Sequence, residues 1–255
     1  MSTPIAVLSD VHGNLEALRA VLADADARGI TRLANLGDMV GYGPEPDACV
    51  KLLRERGALS VLGNHEHGLL EAQARGWFNP QARKALDKTR ELLSDDTLMY
   101  FRTLPRTMEI EGALFVHGCP PGLVSKYLYE LDDNDFLDAF DLYANRLCFA
   151  GHTHELERIS LVGCGCAGDE RPKIERKAFG KGMHVLDRSA RHILNAGAVG
   201  QPRDGNNKAK YLVWEPQTEA APDRVEVRFV PYDIAKTAAA IIEKGLPQVY
   251  ADRLW

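Results

Sequence analysis

With 255 residues, 45% of them hydrophobic and 26% charged, the chain can bury a large core and is too ordinary in composition for disorder. A net charge of -5 gives no general attraction to nucleic acid or to an anionic membrane, and marks no clear nucleic-acid surface. Five cysteines, an odd number at irregular spacing, make no disulfide framework, so a reducing cytoplasm is expected.

Met1-Ser2-Thr3-Pro4 runs directly into the apolar stretch Ile5-Ala6-Val7-Leu8, without the h-region of a signal peptide or a spanning segment. That short run reads as a strand buried on both faces. Ser9-Asp10-Val11-His12-Gly13-Asn14 follows it. Leu15, Leu18, Val21, Leu22 and Ala25 then mark one helix face, which Asn14 can cap and Gly29 ends. A strand over 32–36, a loop over 38–44, a helix over 45–56 closed by Gly57 and a strand over 59–62 complete a β-α-β-α-β opening. That order is the signature of a parallel layer.

The stretch 66–106 reads as a helical excursion over the site, with Asn79-Pro80 as a helix start. Strands over 107–110 and 114–117 form a hairpin around Gly112. A helical region over 133–145 carries Phe136, Leu137, Phe140 and Tyr143 on one side, and its aspartates make a solvated acidic face rather than a calcium site. Two or three short polar strands are expected in 155–187, around a Gly- and charge-rich insertion over 163–182. Within it Cys164 and Cys166 are at most half a zinc site and read as ordinary thiols. Ile193-Leu194-Asn195-Ala196-Gly197, strands over 210–214 and 225–230, and a helical tail from Asp233 follow. No repeat or low-complexity linker interrupts the chain, so one domain of two packed sheets with outer helices is expected.

Asp10 and His12 stand two residues apart, and in an extended segment such residues share a face. A hard oxygen donor beside a nitrogen donor suits a divalent transition metal. Four later apolar runs also end in metal-binding residue types: Gly37-Asp38, Gly63-Asn64-His65, His117-Gly118 and Gly151-His152-Thr153-His154. Sites in open α/β sheets form beyond the carboxyl ends of the strands. Packing alone does not deliver Asp, Asn and His from five strands to one edge.

In this order, D-x-H, G-D, G-N-H-E, H-G and G-H-T-H resemble the calcineurin-like metallophosphoesterase superfamily. The segment from Asn195 to Arg203 and the triplet Tyr232-Asp233-Ile234 look like its small bacterial and archaeal branch. The resemblance implies an α/β fold, a four-layer αββα sandwich of two mixed β-sheets packed face to face with outer helices. It implies two divalent metal ions, with Asp10, His12 and His154 on the first, Asn64, His117 and His152 on the second, and Asp38 bridging. Manganese is the first choice, and iron, nickel or zinc suit the same mixed donors. The implied activity is hydrolysis of phosphomonoesters or phosphodiesters, small or nucleotide-like, by in-line attack of a hydroxide on or between the metals. By the same analogy His65 faces the substrate, stabilises the transition state and protonates the leaving oxygen. Glu66 is either an orienting partner for this local network, counted with His65 among the catalytic residues, or an exposed loop glutamate.

The chain also departs from better-known branches. Protein Ser/Thr phosphatases of the superfamily carry G-D-x-V-D-R-G, but Gly41 and Tyr42 follow Val40 here, which leaves the supporting Asp and the phosphate-gripping Arg unfilled. Tyr42 stands one position too far from Asp38 for the iron-binding tyrosine of purple acid phosphatases, and is left to pack or line the pocket. Arg203 is either a bidentate phosphate contact or a surface arginine paired with Asp204. Asn195 either orients a ligand histidine or satisfies the turn before Gly197. His67 has no counterpart and reads as pocket rim or surface. A non-catalytic metal-binding scaffold is the competing reading, disfavoured by the complete set of seven ligands plus His65. A dinucleotide-binding redox enzyme would need G-x-G-x-x-G after the first strand. The apolar tail residues Ile241, Ile242, Leu246, Val249, Tyr250, Leu254 and Trp255 either cover the core or make a homo-oligomer contact.

Overall fold

The apolar runs become two mixed six-stranded sheets in a computed structural model that describes residues 3–163 and 172–255. In the first sheet β1 (Ile5–Leu8) lies parallel to β2 (Arg32–Asn35), and β2 parallel to β3 (Leu59–Ser60). Its other half is antiparallel, with β1 against β11 (Ala209–Glu215), β11 against β12 (Arg224–Val230) and β12 against β9 (Gly182–Val185). In the second sheet β4 (Thr107–Ile110) pairs antiparallel with β5 (Ala113–Val116). There β5 and β10 (Arg191–Ala196) flank β6 (Leu147–Ala150) in parallel, and antiparallel β7 (Leu156–Val162) and β8 (Lys173–Ala178) close the far edge.

Successive side chains of a strand point to opposite faces, and here both faces are covered. Ile5 and Val7 enter the layer between the sheets with Phe115, Phe149, Leu194, Leu212 and Trp214. Ala6 and Leu8 face α1 (Leu15–Ala27) and α2 (Pro46–Glu55). On the other side Val116, Cys148 and Ile193 meet Phe136 and Phe140 of α7 (Asp133–Asp141). The layers are therefore helix, sheet, sheet, helix, and a strand covered on both faces must be apolar throughout. Asn14 caps α1 by accepting from the Ala17 N–H at 3.1 Å.

Several elements differ from their sequence-based bounds. The excursion over 66–106 divides into α3 (Asn64–Leu70), α4 (Ala72–Arg75), α5 (Pro80–Glu91) and α6 (Asp95–Phe101). Helix α7 stops at Asp141, where the Arg191 guanidinium takes the carbonyls of Phe140 (2.7 Å), Tyr143 and Asn145 that a continuing helix would need. Strand β3 keeps only two residues, because Leu62 N–H turns to the Pro105 carbonyl at 2.8 Å. The polar strands of 155–187 number three, and β9 leaves its sequence neighbours for the opposite sheet. Polar alternation shows that a strand has one open face, but not which edge it joins.

Cys164 and Cys166 lie outside the described residues, while Cys49, Cys119 and Cys148 are free and buried. The tail forms α8 (Ile234–Glu243) and α9 (Gln248–Asp252). Its Ile241, Leu246, Tyr250 and Leu254 are buried in a cluster with Ala85 and Tyr42, so these residues cover the molecule. Ile242 and Trp255 remain exposed. No helix among the described residues is long and apolar enough to cross a membrane.

Candidate metal centre

The loops leaving β1, β2, β3, β5 and β6 meet at one place, and unusual backbone lets them do so. Seven non-glycine residues among those described have positive φ. Five of the seven are Asp10 (53°), His12 (48°), Asp38 (52°), His152 (70°) and His154 (62°). A side chain in this left-handed region costs about 1–2 kcal/mol. Cross-loop hydrogen bonds hold the turns in place: His12 N–H to Asp38 O and Gly13 N–H to Met39 O, both 2.9 Å, and Gly151 N–H to His117 O, 2.8 Å. Glycine is required where these turns touch. A Cβ on Gly63 would stand 2.2 Å from the Asp38 amide, and one on Gly200 would stand 1.8 Å from the Val11 carbonyl.

The result is two adjoining groups of buried donors. In the first, His12 Nε2 and His154 Nε2 are 3.0 Å apart, and Asp10 Oδ1 lies 3.5 and 3.3 Å from them. In the second, His117 Nε2 lies 3.0 Å from Asn64 Oδ1 and 3.2 Å from His152 Nδ1. Asp38 Oδ2 belongs to both, 3.6 Å from His12 Nε2 and 3.4 Å from His117 Nε2. All seven candidate ligands of the sequence analysis are thus brought together.

Three of the imidazoles have their other nitrogen on a carbonyl: His12 Nδ1 on Val40 (2.9 Å), His117 Nδ1 on Leu36 (2.7 Å) and His154 Nδ1 on Gln201 (2.6 Å). A carbonyl accepts, so each Nδ1 carries the proton and each Nε2 turns a lone pair inward. Converging lone pairs repel, and the buried Asp10 Oδ1 has no hydrogen-bond partner among the described residues. Neighbouring ligands around an ion with bonds of about 2.1 Å lie roughly 3.0–3.4 Å apart. The donor set therefore fits divalent cations in number, chemistry and spacing, and Asp10–His12–His154 and Asp38–His117–His152 can each hold one. Protons compete with a cation for the same donors. Burial works against the carboxylates, but the imidazoles beside them hold Asp10 and Asp38 well below the usual range. Burial also works against a His117 imidazolium, yet Asp38 lifts that group to about 9. Burial pushes His152 down to about 3.

Around this centre, His65 donates its N–H to Asp38 Oδ1 at 2.9 Å, and its ring stands edge-on to Phe78 and Tyr42. Burial pushes the ring down to about 3, with Asp38 opposing. Gly41 lies directly beneath, where a Cβ would sit 2.1 Å from His65 Nδ1. That is the residue standing where protein phosphatases of the superfamily place an aspartate.

Glu66 is a buried member of the local network rather than an exposed loop glutamate. It is fully buried, with Oε2 accepting from the amides of Asp38 (2.9 Å) and Gly63 (3.0 Å) and Oε1 from Val40 (3.2 Å). Burial and the Asp38 charge raise it to about 7 against these donors. It buckles the two ligand loops together, which is a positioning role. Glu66→Gln would turn an amide N–H₂ onto the Val40 N–H or forfeit the other two contacts. It is expected to cost about 2 kcal/mol, read as a fall of about 5 °C in Tm, and to weaken Mn²⁺ binding at least tenfold in a titration.

Asn195 sits behind the His152–His154 turn. It is fully buried, donates to Gly151 O (2.9 Å) and Thr153 Oγ1 (2.8 Å), and accepts from Gly197 N–H (3.2 Å). Both of its amide hydrogens are therefore spent on the His152–His154 turn, while its oxygen satisfies the turn before Gly197. Tyr42, at φ 60°, packs between His12 (4.7 Å) and Tyr250 (5.0 Å) with its ring tilted to both. Its phenol is pushed up to about 12 by burial, with the nearby Arg203 charge opposing. The Arg203 guanidinium donates to Gln201 Oε1 at 3.3 Å. Arg203 is not paired with Asp204, whose Oδ1 is held by Lys210 at 2.5 Å. It stays exposed at the rim. His67 is buried rather than superficial, with Nε2 3.2 Å from the Arg106 guanidinium.

Two contributors went unread in the sequence. Ser9 Oγ donates to Asp10 Oδ2 at 2.6 Å and shares that oxygen with the His152 N–H at 2.9 Å, a link its adjacency to Asp10 could have suggested. Tyr127 lies flat on the His152 ring with 3.8 Å between centroids, and no motif marks it.

Comparison with known proteins agrees with this geometry. A family model for calcineurin-like phosphoesterases matches residues 3–156. An uncharacterized protein of Methanocaldococcus jannaschii is 36% identical over 98% of this chain and 97% of its own length. The crystal structure of a metallophosphoesterase from Sphaerobacter thermophilus superposes with a TM-score of 0.78 at 36% identity, covering 98% of each chain. Serine/threonine-protein phosphatase 2 of Escherichia coli is 30% identical over 52% of this chain and 66% of its own. With its donors gathered at the ends of the strands of an αββα sandwich, the chain belongs to the calcineurin-like phosphoesterases.

Proposed function

We propose that the protein hydrolyses phosphomonoesters or phosphodiesters of small or nucleotide-like substrates at a two-metal centre, acting as one catalytic unit in the cytoplasm. The observation that carries this reading is the shared Asp38 carboxylate, whose Oδ2 lies within 3.6 Å of one donor group and 3.4 Å of the other. Asp10, His12 and His154 would hold the first ion, Asn64, His117 and His152 the second, and Asp38 both. Bound there, two divalent cations, manganese first among them, supply Lewis acidity to phosphoryl oxygens and lower the pKa of water.

The chain's own groups do the rest. The Nδ1–carbonyl bonds fix the tautomer and orientation of three histidines before any ligand arrives. His65 stands beside Asp38, where it can stabilise the transition state and protonate the leaving oxygen. Arg203, bonded to Gln201 Oε1 at 3.3 Å, can grip a phosphate oxygen from the rim. Tyr42, Phe78 and Tyr127 wall the site with aromatic rings and exclude water.

The test is turnover of p-nitrophenyl phosphate and bis-p-nitrophenyl phosphate by metal-stripped protein, with Mn²⁺, Ni²⁺, Zn²⁺ or Mg²⁺ added back. Activity is expected to vanish on stripping and to return with a transition metal. Two ions bound per chain without turnover of either ester under any metal would overturn the reading in favour of a scaffold.

A further inference from the structure

Beside the centre runs a cleft of about 300 Å³ lined by Trp77, Arg106, Leu123, Val124, Ser125 and Lys126. This lies at the small end of ligand pockets. Both of its walls grow out of the candidate site. On one side Arg106 is bonded to His67, one turn along α3 from Asn64, and Trp77 stands edge-on to the same imidazole at 6.1 Å. On the other, the loop after His117 folds back so closely that a Cβ on Gly118 would strike the carbonyls of Leu123 (2.4 Å) and Lys126 (2.9 Å). Lys126 adjoins Tyr127, the residue lying on His152.

The chemistry of the cleft is specific. Trp77 is 61% exposed and Leu123 56%, an apolar surface kept in water beside a polar centre. No carboxylate lines it. Arg106 forms no ion pair among the described residues, while Lys126 meets Glu130 at 3.2 Å. A cleft that sets an open indole beside two cations, in a chain of net charge -5, complements a ligand with a flat ring and an anionic group.

We propose that this cleft receives the nucleoside end of a phosphodiester, its base on Trp77 and a second phosphate between Arg106 and Lys126. The proposal rests on the phosphoesterase reading and names the substrate class of that same site as nucleotide phosphodiesters.

The experiment is calorimetry on Mn²⁺-loaded His65→Asn protein, in which turnover is slowed about 10²–10³-fold, with ribose 5-phosphate, AMP and adenosine 3′,5′-bisphosphate as probes. AMP is expected to bind about tenfold tighter than ribose 5-phosphate, and the bisphosphate about fivefold tighter again. Adding Trp77→Ala should bring AMP to the level of ribose 5-phosphate, and should abolish an AMP-induced quench of indole fluorescence that a merely structural role would not produce. Adding Arg106→Gln should erase the step from AMP to the bisphosphate and keep the step from ribose 5-phosphate to AMP. Equal affinities for ribose 5-phosphate and AMP before these changes would overturn the subsite. So would a loss in Trp77→Ala that falls equally on both probes. Failure of ribose 5-phosphate to bind with two Mn²⁺ present would instead count against the phosphoesterase reading, and the subsite would fall with it.

Discussion

Asp38→Asn is expected to lower the metal content from two ions per chain to one or none and to reduce turnover of bis-p-nitrophenyl phosphate by about 10³-fold or more. Asp38 Oδ2 stands between His12 Nε2 and His117 Nε2, and Oδ1 accepts the His65 N–H. An asparagine keeps the volume and one carbonyl oxygen. It removes the negative charge that lies within reach of both donor groups, and its amide nitrogen must face either an inward lone pair or the His65 N–H. Metal analysis after gel filtration, with turnover on the same sample, reads both effects. Two ions retained with full activity would exclude Asp38 as the shared ligand.

His65→Asn should behave differently: kcat falls about 10²–10³-fold while two ions stay bound and KM changes little. The imidazole stands 3.9 Å from Asp38 Oδ2, and its buried Nδ1 has no hydrogen-bond partner among the described residues. His12, Asp38 and His65 are also close enough to hold an ion, so the retained metal content is what separates a group facing the reaction from one built into the ion cradle. A second substitution reaches the same chemistry from below. Gly41→Ala would place a methyl 2.1 Å from His65 Nδ1 at a backbone φ of +93°, so the ring must move. Displacement of about 1 Å can cost about 10²-fold in rate, and Gly41→Ala should reproduce most of the kcat loss with the metal content intact. If Gly41→Ala alone lost the metals, His65 would be a structural support of the cradle.

Much of the centre was legible because each donor ends an apolar run, and a parallel layer brings such ends together. Asp10, His12, Asn64, His117 and the His152–His154 pair are placed in this way. The sharing of Asp38 came only from the family resemblance, since spacing along the chain cannot tell a carboxylate that serves two groups from one that serves a single group. Glu66 and Asn195 each had two sequence readings, because a polar residue near a ligand looks the same whether it faces solvent or the loop beneath. Their hydrogen bonds decide: Glu66 bonds to the Asp38, Val40 and Gly63 amides, and Asn195 to Gly151, Thr153 and Gly197. Tyr127 and the Trp77 cleft were illegible for another reason. They depend on where an irregular loop and a chain of short helices come to rest, and hydrophobic periodicity carries no such information.

The left-handed turns at Asp10, His12, Asp38, His152 and His154 have a consequence for ion choice. Their strain is met when the chain folds, before any ion binds, and the bonds between turns leave the donors little room to rearrange. In the two-ion reading the turns therefore present a fixed set rich in imidazole nitrogens. Calcium takes six to eight oxygen ligands, which such a set does not offer. The cradle sorts ions by ligand chemistry, so a large excess of calcium would compete poorly for the centre while transition ions passed freely into it.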